Sequence, residues 1–223
     1  MIRKFLAPVS LAVVLMVVHA GASVVTNLPG GTVFAMPGVD YYGPGPQTFG
    51  SGSFVITWSS TNAYNGAGGA TFGNTGLYGS YLFGSNGQWT GALGPMAGLN
   101  DSTDYSGVTE SMTFAFSQPV AAVGGFLNYV PGSSNPTTIA VWDSGGNLIE
   151  SYNLTFTTNG ANDTGAFYGF RESSAIISSF TLIDNWVGIT DFTVTTVPEP
   201  SSLLLIGSGL VGVIGYGRRG LGR

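Results

Sequence analysis

The sequence predicts an all-β body, a β-sandwich, set between two apolar ends. Three observations carry this. Short β-branched and aromatic runs recur at a spacing of roughly ten residues. No sustained i, i+3, i+4, i+7 pattern interrupts them between residues 23 and 196. Turn-forming residues part the runs, and 36 of the 223 residues are Gly.

The chain begins with a basic pair, Arg3 and Lys4, followed by an apolar run from Phe5 to Val18. Ala20-Gly21-Ala22 then supplies the small residues that a signal peptidase accepts. Residues 1–22 therefore read as a secretory signal peptide with a helical core, and the mature chain as starting at Ser23. An uncleaved anchor is the alternative, but the apolar run falls short of the ~20 residues a spanning helix needs.

Residues 23–196 form the body. Positions 24–50 are rich in Gly and Pro and read as short extended pieces joined by turns. Phe54–Trp58 is a strand, bounded by Ser, Gly, Thr and Asn. In residues 59–107, Gly-aromatic pairs (Phe72-Gly73, Tyr78-Gly79, Phe83-Gly84) suggest short strands and wandering loops. From Ser111 to Phe116 the large apolar residues alternate, as a half-buried strand requires. Ser117-Gln118-Pro119 is read as a turn, and Val120–Tyr129 as a strand with a bulge at Gly124-Gly125. Thr138–Trp142 and Leu148–Tyr152 flank Asp143-Ser-Gly-Gly-Asn147 as a hairpin, with Leu154–Thr157 continuing its second arm. Ala166–Phe170, Ile176–Ile183 and Ile189–Val194 complete the set of strands.

The body holds ten acids and one base, Arg171, for a net charge of −9 against −5 for the whole chain. That lacks the basic footprint which nucleic-acid binding requires. There is no Cys, so no disulfide supports this secreted domain. Charged residues are only 8% of the chain, while aromatics reach 13% and supply core.

The C-terminal segment, 197–223, has three parts. Pro198-Glu199-Pro200 is rigid and extended, since proline fixes φ and lacks an N–H. An uncharged stretch follows, carried by Leu203, Leu204, Leu205, Ile206, Leu210, Val211, Val213 and Ile214. Arg218, Arg219 and Arg223 close it. Residues 201–217 sit at the lower length limit for a transmembrane helix, and the arginines stay cytoplasmic by the positive-inside rule. The signal peptide directs the body through the Sec translocon to the other side, so both ends imply one topology. Physical chemistry alone leaves two readings of Pro198–Pro200: a strip for a processing enzyme, or a plain linker to a permanent anchor.

Val197-Pro-Glu-Pro-Ser-Ser-Leu-Leu-Leu205, with Gly207-Ser-Gly-Leu210 and the terminal arginines, closely resembles the PEP-CTERM sorting signal of Gram-negative bacteria. The resemblance implies recognition of Pro198, Glu199 and Pro200 by an exosortase in the inner membrane. It implies removal of the tail, and a surface or matrix destination linked to exopolysaccharide and biofilm. A weaker likeness spans residues 110–196: Phe114-x-Phe-Ser-Gln-Pro-Val120, Val141-Trp-Asp143, Gly165–Phe170 and Asp191-Phe-Thr-Val194. Their order is similar to jelly-roll-like β-sandwich domains of such proteins, and implies that fold here.

The only His, His19, lies in the signal peptide, and the body also lacks Lys. Ser-His-Asp, Cys-His and Schiff-base mechanisms are thereby excluded from it. Carboxylates remain. Glu110, Glu150 and Glu172 are the candidates for a glycosidase pair, although no spacing singles out two of them. Calcium accepts oxygen ligands from separate loops, and Asp184 and Asp191 are the candidate ligands, with Asp101, Asp104 and Asp143 also at loops or strand ends. The plainer reading is that Asp caps turns through its own backbone. Tyr41, Tyr42, Tyr64, Tyr78, Tyr81, Trp89 and Trp186 sit among Gly, Asn and Ser, which suits sugar stacking or equally a sandwich core. A non-enzymatic, glycan-associated body is the leading expectation. A carboxylate-dependent enzyme and a purely structural adhesin are the alternatives.

Overall fold

The structure is a computed structural model. It describes residues 22–66, 68–74, 81–99, 109–132, 135–183 and 186–195. The signal helix and the transmembrane tail expected from sequence lie outside these residues. Among those described, no helix is long and apolar enough to cross a membrane.

The body is all-β. In chain order the strands are β1 (Ser23–Val25), β2 (Thr32–Val33), β3 (Tyr41–Tyr42), β4 (Gln47–Ser51), β5 (Phe54–Ser60), β6 (Ala70–Asn74), β7 (Tyr81–Leu82) and β8 (Gln88–Trp89). They continue as β9 (Met96–Leu99), β10 (Ser111–Val120), β11 (Ala122–Tyr129), β12 (Thr138–Trp142), β13 (Leu148–Asn153), β14 (Ala166–Arg171), β15 (Ile177–Ile183) and β16 (Val187–Thr195). One antiparallel sheet runs β13-β12-β15-β10-β5-β4. The other runs β1-β14-β11-β16-β9-β6-β3, with β2 added onto β16. A small β7–β8 ribbon encloses a 3₁₀ turn at Gly84–Asn86.

The two sheets face each other in a sandwich-like arrangement, and alternation in the strands explains why. Met112 and Phe114 of β10, and Phe180 and Leu182 of β15, are fully buried. From the other sheet come Phe72, Leu127, Phe170, Ile189 and Phe192, within the same cluster. Phe192 bridges the layers, with its ring centroid 4.5 Å from that of Phe114 and 6.2 Å from that of Phe180. Each such side chain contributes about 1.5–3 kcal/mol of burial.

Three sequence expectations need correction. Ser117-Gln118-Pro119 does not turn the chain, because β10 runs on to Val120. The β10–β15 register jumps there from Ala115 opposite Ser179 to Val120 opposite Ile177. A proline without an N–H is tolerated where the ladder is interrupted. The bend falls at Ala121, and the chain passes directly from one sheet to the other, which is how sandwich corners form. The Ala121 N–H donates to the Thr195 carbonyl, and the Ala121 carbonyl accepts from the Glu172 N–H.

The irregularity expected at Gly124-Gly125 exists, but its extra residue belongs to the partner strand. Gly124 faces Thr193 and Phe126 faces Thr190, so Asp191 and Phe192 oppose the single Gly125. Asp191 adopts φ 49°, a left-handed value that Asp tolerates better than most residues.

Leu154–Thr157 does not extend β13. Leu154 turns inward, its N–H donating to the Thr137 carbonyl, and Phe156 stacks on Tyr168 at 5.4 Å. Tyr168 stacks in turn on Tyr152 at 5.7 Å, so a ladder of rings closes this side of the sandwich.

Candidate functional site

The sorting residues Pro198, Glu199 and Pro200, the apolar tail, the basic stop, Ala20 and Asp184 lie outside the described residues. Ala22 lies at the edge of them, buried and part of the core cluster next to β1.

Asp191 is exposed on the β16 bulge. Among the described residues no three His, Cys, Asp or Glu side chains gather at one point. Asp143 works as a turn cap. Its Oδ1 accepts from the N–H groups of Gly145 and Asn147, both at 2.8 Å, and its Oδ2 from the Asn147 amide at 2.9 Å. These bonds, the Asn147 side chain first, hold the Asp143 carboxyl below the usual aspartate value. Asp163 ties two loops together by accepting from the Thr90 N–H and hydroxyl at 2.7 and 2.6 Å.

The three glutamates are not placed as a pair. Glu110 leads into β10 and accepts from the Asn62 amide. Glu150 lies on β13, three strands away in the same sheet. Strand spacing alone puts their backbones at least roughly 14 Å apart, and the register adds four residues along the strand. Glu172 follows β14 in the opposite sheet and is buried.

The aromatic candidates divide. Trp89 is a core residue, 2% exposed, edge-on to Phe83 at 4.9 Å, with its Nε1 donating to the Thr164 carbonyl at 2.7 Å. Tyr41, Tyr42 and Trp186 are half-buried, and Tyr64 is 44% exposed. Tyr78 lies outside the described residues.

The sequence reading passed over the outer face of the six-stranded sheet. Cross-strand register builds a grid there. Trp142 pairs with Ser179, Ala140 with Thr181, and Thr138 with Ile183. On the other side of β15, Ala115, Thr113 and Ser111 face the same three residues of that strand. Pleating sets these residues on the face opposite the core-facing Val141, Phe180 and Phe114, with Ala140 and Thr181 themselves buried beneath their neighbours. A shallow groove of about 510 Å³ results. Its lining includes Ser111, Thr113, Ser179 and Thr181, with Trp142, Asp143 and Ile183 also contributing. The Thr113 and Thr181 hydroxyls bond to each other at 3.1 Å. An indole beside five hydroxyls, Thr109 being the fifth, with Asp143 the one ionisable group of the lining among the described residues, offers stacking and hydrogen bonding but little charge. The available signal in the sequence was Ser111-x-Thr113 together with Ser179-x-Thr181, hydroxyls at alternate strand positions.

A second depression, about 400 Å³, lies by Tyr129, Pro131, Pro136 and Leu154. The Tyr129 hydroxyl donates to the Phe156 carbonyl at 2.9 Å. Burial, then the neighbouring Tyr168 and Tyr152, raises the Tyr129 pKa.

In comparison with known protein families, residues 196–219 match the PEP-CTERM protein-sorting motif. The motif implies export, a C-terminal membrane anchor during sorting, and processing by an exosortase. No curated protein matches the chain.

Proposed function

We propose that this chain, bearing a PEP-CTERM protein-sorting motif, is a non-enzymatic surface or matrix protein whose body binds neutral exopolysaccharide. The fold is read as jelly-roll-like, with the tail removed once sorting is complete. The observation that carries the binding reading is the Trp142 groove. A sugar ring presents an apolar C–H face to an indole and hydroxyls to a hydroxyl grid, and both are placed on one sheet face. Among the described residues no Lys or Arg lines the groove, which favours uncharged over anionic polymers. The separation of at least roughly 14 Å between the Glu110 and Glu150 backbones supports binding over two-carboxylate hydrolysis.

Two measurements test this. Calorimetry of the exported protein against neutral glycans and the host's own exopolysaccharide should show binding that Trp142→Ala weakens by roughly 30-fold, the loss typical of a central aromatic anchor. Equal affinity of both proteins would remove the groove from the reading. Turnover of the polymer, lost on a Glu→Gln substitution, would establish the enzyme alternative. The titration is run with and without calcium, for which Asp184 and Asp191 are the candidate ligands. For sorting, Glu199→Ala should leave the tail attached, seen as the full mass of residues 23–223 in the exported fraction.

A further inference from the structure

The two ends of the body leave from the same edge of the fold. Ser23 pairs with Arg171, Arg171 pairs with Ala122, and Ala122 pairs with Thr195. One row across β1, β14, β11 and β16 thus holds the first residue after the signal peptide and the last strand residue before the sorting motif. Three strand steps separate these two residues, roughly 14 Å. Both membrane-directed segments therefore start from one end of the sandwich.

Only Thr196 and Val197 lie between Thr195 and Pro198. Fully extended, they let Pro198 stand at most about 10 Å from the last paired residue. β16 gives up no slack easily. It pairs with β11 on both sides of the Asp191–Phe192 bulge, and the Thr195 carbonyl accepts from the Ala121 N–H at 3.0 Å. An enzyme that grips Pro198–Pro200 at that distance must also touch the end of the sandwich. Arg171, the one base of the body, is exposed there, and its carbonyl accepts a long bond from the Ser23 hydroxyl.

We infer that this end, where Ser23 and Arg171 are exposed and Thr195 is half-buried beside the buried Ala121–Ala122 corner, is a docking surface for the exosortase. Arg171 meets an acidic or hydrogen-bond-accepting group of the enzyme outside its peptide cleft. The inference rests on the sorting reading above, and deepens it from a linear motif to a motif presented by a folded body.

The test uses the full chain in its exporting host, following tail removal by pulse-chase and intact mass. Arg171→Glu at native spacing should slow removal roughly tenfold, as expected when a favourable rim charge is reversed. Inserting eight Gly/Ser residues after Thr195 moves the motif about 15 Å further from the sandwich. In that background Arg171 and Arg171→Glu should be processed at equal rates. Equal rates at native spacing would overturn the docking surface, as would slowing by Arg171→Glu that the insertion leaves unchanged. Thermal melts of the exported bodies confirm that the variants fold alike. Glu199→Ala separates the two levels: loss of the tail from that variant refutes the sorting reading itself, whereas its retention with Arg171→Glu processed normally refutes only the docking.

Discussion

Trp142 and Asp143 are neighbours with opposite duties. Trp142 is half-buried and turned toward the groove, while Asp143 spends its carboxylate on the turn that follows. The Asp143 pKa is lowered in the folded state, so its support is present above the unfolded aspartate pKa and is lost as pH falls through the lower folded value. Asp143→Ala should therefore lower the melting temperature at pH 7, and the gap from the parent should close in acid, below about pH 3. A gap that persists unchanged at low pH would show that the charge is not what caps the turn. The same residue shows why loop aspartates read equally as turn caps and as calcium ligands. Turn capping and metal ligation use the same short side chain, and only the positions of the surrounding N–H groups tell them apart.

Among the elements, the β11–β14 pair is a tight junction. Gly124 faces Gly169 across it. A Cβ on Gly169 would stand 2.2 Å from the Val123 carbonyl oxygen and 2.6 Å from the Gly124 Cα. Backbone atoms cannot yield as a flexible side chain can, so Gly169→Ala should destabilise by about 2–3 kcal/mol. For a body of this size that is a fall of roughly 4–12 °C in melting temperature. An unchanged melt would mean that the two strands can separate locally at no cost. The sequence reading used Gly124-Gly125 to place a bulge in β11. The irregularity is real, but two residues of β16 oppose one of β11, and the sequence of one strand cannot say which partner carries the extra residue.

Taken as a whole, the body is a strongly acidic sandwich with no disulfide, with ten acids set against Arg171. Self-repulsion works against compaction and is screened once the Debye length shrinks from about 30 Å at 0.01 M salt to about 8 Å at 0.15 M. Raising salt across that range should raise the melting temperature by a few degrees. A fall instead would point to favourable ion pairs holding the fold. At this scale the aromatic core, with Phe192 between Phe114 and Phe180, unites the sheets, and the Ala121 corner carries the chain from one to the other.

The amino-acid sequence alone determined the features encoded by consecutive residues. Strands from Ser111 onward were legible because apolar side chains alternate there, and the hairpin because its turn residues are contiguous. Pro198-Glu199-Pro200 and the tail were legible because an extended strip and an apolar run need no distant partner to be recognised. The Gly-rich stretch before Ser111 hid β6 and β9, since glycines dilute the alternation although both strands lie buried in the larger sheet. Tertiary structure decided what depends on residues far apart. It sent Trp89 into the core and Trp142 to the surface, joined Thr113 to Thr181 across 68 positions, and brought Ser23 and Thr195 to one row. Local chemistry sets which residues extend, whereas register between distant strands sets which side chains share a face and which ends share an edge.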